Sequence, residues 1–172
     1  MSVQEIVNDK TLKQKAKVEQ LAKLLTAKKL TVDNLIAFAE KSADTERATC
    51  IEALEFATRQ KPDIADEKCL KYVSKKLTDE APRVKWESAK VIGNIAHLYP
   101  TKLNTAIVNL LTNSEYSGTV VRWAAAFALG EILKLKTKHN KDLLPAIQAI
   151  SKREQDNAIK KKYLDALKKV KK

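Results

Sequence analysis

Glycine and proline are scarce in this chain, three and four of 172 residues, against usual shares of about 7% and 5%. A strand-rich fold needs turn formers at every hairpin, so so few of them predict a chain that is helical almost throughout. Histidine and cysteine are nearly absent as well. His97 and His139 stand a whole helix apart, neither near a cysteine or a paired carboxylate in sequence, and Cys50 and Cys69 form no CxxC pair. Neither a zinc site nor a redox motif is expected, and both thiols read as small buried hydrophobes. The sequence contains no GxGxxG, GxxxxGK[ST] or GxSxG. Three glycines cannot build a phosphate-cradling loop, which sets aside nucleotide hydrolysis and Ser-His-Asp hydrolysis. No run approaches about 18 apolar residues and the first residues lack the pattern of a secretory signal, so a cytoplasmic location is expected. No cofactor is expected.

What the chain does have is apolar residues, at 44%, and positive charge, with 33 Lys and Arg against 21 Asp and Glu for a formal net charge of +12. At this length one domain can bury a sizeable core. The charge is unevenly spread: residues 1–42 carry +3, residues 43–116 carry 0 and residues 117–172 carry +9. Such a surface favours anionic partners, with the C-terminal third the favoured end for docking.

An internal repeat organises the rest. VKWESAKVIGNIAHL (84–98) and VRWAAAFALGEILKL (121–135) share Val, Trp, Ala, Gly, Ile and Leu at a constant offset of 37 residues. Weaker copies, RATCIEALEFA (47–57) and IKKKYLDALKKV (159–170), lie 38 residues to either side. Val84, Ser88, Val91, Ile92, Ile95 and Leu98 recur at helical spacing and form one stripe. A second helix follows each, predicted at 62–77, 101–113 and 140–152, with Thr31, Asp44, Asp79 and Thr101 as N-caps and Pro62 in a first turn. Gly93 and Gly130, at one phase inside predicted helices, each cost about 1 kcal/mol relative to Ala, which predicts a neighbouring backbone too close for a β-carbon. One hairpin cannot bury its own stripe, so the copies must stack on a shared core.

The segment DEAPRVK (79–85), the cores AKVIGNI (89–95) and AFALGEI (126–132), and LLPAI (143–147) resemble the HEAT-repeat family of armadillo-like solenoids. The resemblance implies an all-α fold, a right-handed α-α superhelix of stacked hairpins in which Asp79, Lys85 and Arg122 link neighbouring repeats. Tyr116 stands where the third copy should have its Asp. A single domain over 1–172 is expected: a degenerate cap hairpin in 1–42 (helices within 11–29 and 31–42), repeats 43–78, 79–116 and 117–155, and a capping helix 156–172. A weaker similarity, through the basic segment 151–162, is to the HEAT-like DNA-alkylation-repair proteins. That family's catalytic arrangement joins a groove Trp to an Asp one helical turn away, and here Lys90 follows Trp86 and Phe127 follows Trp123. The resemblance therefore carries no catalytic residue across, and the chain reads as non-enzymatic.

Three surfaces are candidates for binding. The resemblance implies that second helices line the concave side, and their polar stripes carry Lys68, Lys71 and Lys75, then Lys102, Thr105, Asn109 and Thr112, then Lys141, Gln148 and Lys152. This is a neutral-to-basic groove for a protein or peptide with an acidic surface. The last helix offers a candidate phosphate-contacting patch of Lys160, Lys161, Lys162, Lys168 and Lys169, with Lys171 and Lys172 beyond; the competing reading is a solvated cap whose lysines suit the helix dipole. Trp86 and Trp123, one repeat apart, either pack across the joint between first helices or form a ladder for stacking bases. The alternative to a protein partner is DNA or RNA bound without sequence preference through the same lysines.

Overall fold

Four of the α-helices begin under a side-chain oxygen. Ser2 forms a capping box with Glu5, Thr31 accepts from the Asn34 amide, Asp66 from Cys69 and Asp156 from Ile159, satisfying N–H groups that a first turn leaves free. The computed structural model describes residues 1–171; Lys172 lies outside the described residues. Among the described residues ten α-helices follow in order: α1 (Val3–Asn8), α2 (Gln14–Thr26), α3 (Val32–Glu40), α4 (Asp44–Gln60), α5 (Glu67–Lys76), α6 (Pro82–Ile95), α7 (Asn104–Asn113), α8 (Thr119–Lys134), α9 (Asn140–Arg153) and α10 (Asn157–Val170).

Several boundaries differ from the sequence expectation. Pro62 opens a separate 3-10 turn, Pro62–Ile64, and α5 starts only at Glu67 under the Asp66 cap. Thr101 caps nothing, and α7 starts at Asn104. Asp44 sits inside α4 without capping it, whereas Asp79 accepts from the Ala81 amide at 2.9 Å just ahead of α6. Leu98 leaves the α6 stripe because the helix gives way to a 3-10 turn at Ala96–Leu98, which turns its side chain outward. The short α1 has no counterpart in the repeat pattern.

The helices form two layers of an all-α, armadillo/HEAT-like solenoid. First helices α2, α4, α6, α8 and α10 pack side by side in chain order. Second helices α3, α5, α7 and α9 lie against them, each on the first helix of the following hairpin, so that α3 packs on α4, α5 on α6, α7 on α8 and α9 on α10. One continuous apolar core runs from Val3 to Leu167. The first-helix layer is dense because its facing residues are small. Ala124, Ala125, Ala126, Ala128 and Gly130 are all buried in α8, and a β-carbon on Gly93 would stand 2.3 Å from the Phe127 ring. Where the sequence predicted a backbone next to Gly93, the close neighbour is thus an aromatic ring; at Gly130 it is the Ala166 methyl, at 3.2 Å.

A ladder ties successive first helices together at their N-terminal ends. Arg47 reaches Asp79 at 3.4 Å and also donates to the Ala39 and Ser42 carbonyls. Arg122 holds Glu154 through two 3.2 Å contacts and donates to the Tyr116 and Ser117 carbonyls. Between them, Lys85 lies 5.4 Å from the centroid of the Tyr116 ring. The tyrosine that interrupts the expected Asp pattern keeps the rung by offering its π-face to the lysine.

Candidate docking face

The second helices present their polar stripes away from the core. Cys69, Leu70, Val73 and Leu77 are buried, which leaves Lys68, Lys71 and Lys75 exposed along α5. The next second helix, α7, contains no charged residue. It shows solvent Asn104, Thr105, Val108 and Thr112, with Val108 63% exposed. Between the two helices a shallow cleft of about 370 Å³ gathers Lys71 from α5 with Thr105 from α7 and Lys102 just ahead of it, floored by Leu70 and Ser74. The uncharged α7 sequence was the signal for Val108, which the reading of charge stripes passed over.

Two acidic side chains also reach this face. Lys68 lies 3.9 Å from Asp33 and Lys102 lies 3.9 Å from Glu67, all four well exposed, so these pairs contribute little and are screened by salt. Lys71 and Lys75 form no ion pair among the described residues. Asn109 is taken up by structure: its amide donates to the Ser74 carbonyl at 2.9 Å, and Asn113 donates to Leu77 at 3.1 Å, tying α7 to the preceding hairpin. Asn109 is therefore a repeat connector rather than a free hydrogen-bonding group. On α9, Lys141 and Lys152 are exposed and Gln148 half-buried; α9 packs on α8 and α10, and Arg153 at its end pairs with Glu115 just beyond α7. The structure joins the α5 and α7 residues in one cleft, which the α9 trio does not line.

The lysines of α10 divide between two sides. Lys162, Lys168 and Lys169 border a cleft toward α8, while Lys160, Lys161, Lys168 and Lys171 surround the half-exposed Leu164 on the outer face. Lys168 borders both, so the two sides meet along it.

Both tryptophans pack partly buried against the core. Trp123 stacks on Phe127, centroids 6.0 Å apart and planes within 10°, and Lys162 lies 5.0 Å above the Trp123 ring. Nearby, α4 and α6 share a buried ionic cluster. Glu55 and Glu87 have side chains only 3% exposed, and Lys90 reaches both, at 3.5 and 3.1 Å. Burial pushes the Glu87 carboxyl above the usual glutamate range. At Glu55 burial acts in the same direction, but hydrogen bonds from Arg59 and Asn94 and the Lys90 charge outweigh it and the net shift is downward. This cluster carried no motif, because its members lie on two helices more than thirty residues apart.

Burial also pushes both thiols, Cys50 and Cys69, up to about 12, so they are inert as nucleophiles. His97 is exposed and His139 half-buried; among the described residues no three His, Cys, Asp or Glu side chains are grouped to hold a metal ion. Among the described residues no helix is long and apolar enough to cross a membrane.

No family model matches the chain, and no curated protein matches it. Solved structures do. A designed armadillo repeat protein superposes with a TM-score of 0.73 at 14% identity, covering 98% of this chain and 80% of its own. A computationally designed armadillo repeat protein for modular peptide recognition gives 0.75 at 14%, over 97% and 80%. A third designed armadillo repeat protein, in complex with a (KR)4 peptide, gives 0.72 at 17%, over 98% and 73%. At these identities the likeness speaks for the fold.

Proposed function

We propose that this protein is a non-enzymatic interaction module that holds an acidic segment of a partner protein across its α5/α7 face. The observation that carries the reading is the pairing of an exposed lysine row on α5 with an uncharged, Val108-bearing α7, joined by the Lys71, Lys102 and Thr105 cleft. An exposed valine amid threonines and asparagines gives a partner an apolar anchor point, and the lysines beside it select negative charge. A designed armadillo repeat protein in complex with a (KR)4 peptide is an example of this kind of fold with a basic peptide; the exposed lysines of α5 favour the opposite sign here. The buried thiols and the absence of phosphate-loop motifs fit a binding rather than a chemical role.

The test is a fluorescence-anisotropy titration of labelled Glu/Asp-rich peptides against the wild type and the Lys71→Glu/Lys102→Glu variant. The expected result is saturable binding that weakens at least about tenfold in the variant, a loss of about 1.4 kcal/mol. Equal binding by both proteins removes the α5/α7 face from consideration. Tight binding of duplex DNA with a steep salt slope, through counterion release, replaces the protein partner with nucleic acid.

A further inference from the structure

On the first-helix side of the molecule, α8 and α10 enclose a cleft of about 360 Å³ whose floor is Ala126, Phe127, Gly130 and Ala166. The depression exists because three of those four side chains are a methyl or less. At the Gly130–Ala166 crossing the two helices nearly touch, and the longer residues of both rise around the contact as a rim of Lys134, Lys162, Lys168, Lys169, Glu131 and Asp165.

The charge on that rim decides what fits. Four lysines against two carboxylates leave +2. Glu131 is held by Lys134 at 2.6 Å, and Asp165 by Lys161 at 3.0 Å, so neither faces the cleft unpaired. Helices α8 and α10 both end beside it, and each C-terminus contributes about half a negative charge, which brings the excess to roughly +1. A polyanion with a charge about every 1.7 Å needs a longer cationic row than this, and gains nothing from a floor of Phe, Ala and Gly. An apolar side chain flanked by one or two carboxylates matches both the floor and the rim.

We infer that the α8/α10 cleft is a second docking site, which takes a bulky apolar side chain of an acidic protein segment onto the floor of Phe127, Gly130 and Ala166, with Lys162 and Lys169 pairing the flanking carboxylates. Lys162 then swings from the Trp123 and Phe127 rings, over which it rests at 5.0 and 5.9 Å, to the incoming carboxylate. The site lies on the opposite layer from the α5/α7 face, so either can stand without the other.

The experiment titrates a short synthetic peptide, one phenylalanine flanked by glutamates, into the isotopically labelled full chain and follows amide shifts and, in a Trp86→Phe background, Trp123 indole fluorescence. The expected result is shifts at Phe127, Gly130, Ala166 and Lys162 together with a change in indole emission. Both should be lost by about tenfold weaker binding in Lys162→Glu/Lys169→Glu and retained in Lys71→Glu/Lys102→Glu. Four results overturn the inference: no shift in this cleft at about 1 mM peptide, shifts confined to α5 and α7, equal binding of the same peptide with alanine in place of phenylalanine, or displacement of the peptide by duplex DNA at equal or lower concentration.

Discussion

Substituting alanine for Gly93 sets two effects of comparable size against each other. Alanine in a helix interior gains about 1 kcal/mol over glycine. Against that, the new methyl would stand 2.3 Å from one Phe127 ring carbon, with two more ring carbons inside 3.0 Å, so the ring has to move. Phe127 is not free to move: it stacks on Trp123 and lies beneath Lys162, contacts worth about 0.5–1.5 kcal/mol each. Overpacking of this kind costs about 1–3 kcal/mol before those losses are added. The net expectation for Gly93→Ala is a destabilisation of about 1–5 kcal/mol, with the melting temperature lower by roughly 2–4 °C for each kcal/mol in a chain of this size. Gly130→Ala is the internal control. Its methyl would meet Ala166 at 3.2 Å, which a shift of tenths of an ångström relieves, so the propensity gain offsets the strain and stability stays within about 0.5 kcal/mol. Urea denaturation followed by far-UV circular dichroism measures both. In a Phe127→Ala background, Gly93→Ala should become stabilising, giving a coupling energy above about 1 kcal/mol. A Gly93→Ala protein as stable as wild type, or a double mutant showing no coupling, refutes the reasoning.

The ladder gives a second prediction. Arg122→Ala leaves the Glu154 carboxylate, 5% exposed, without its partner; the usual 3–5 kcal/mol for orphaning a buried charge is reduced by the partial exposure of Arg122, to about 2–3 kcal/mol in chemical denaturation. Arg153→Ala removes the pairing with Glu115, where both side chains are more than half exposed, and should change stability by less than about 0.5 kcal/mol; equal losses in the two variants contradict the ladder. The third prediction concerns pH. Glu87 has its carboxyl pKa raised by burial, so its contribution to stability is complete below the ordinary glutamate value of 4.5 and is lost as pH rises through the higher folded value. Glu55, shifted downward, contributes stability that is present above that ordinary value and is lost as pH falls through its lower folded value. At pH 7 Glu87→Gln should therefore raise the melting temperature and Glu55→Gln lower it, and shifts of the same sign count against the opposed environments of the two carboxylates.

Much of the fold was legible in one dimension because a solenoid is nearly one-dimensional. Each hairpin contacts its neighbours, so a 37–38-residue offset in the sequence becomes the same contact repeated in space. The phase shared by Arg47, Lys85 and Arg122 is of this kind, and the structure adds that Tyr116 sustains its rung with a π-face. The α5 lysine stripe was likewise visible, since helical spacing alone turns Lys68, Lys71 and Lys75 away from Leu70 and Val73.

What tertiary structure alone decided is where separate helices meet and how closely. Spacing within α7 could not reveal that Asn109 and Asn113 tie it to the end of α5, which engages the Asn109 amide. Nor could it reveal that α10 crosses α8 at Gly130, which sends Lys162 and Lys169 to one side and Lys160 and Lys161 to the other. The sequence determines which side of each helix is apolar, because that follows from a period of 3.6 residues. The distance and angle between helices depend on the volumes of side chains contributed from both, and those become neighbours only once the chain has folded.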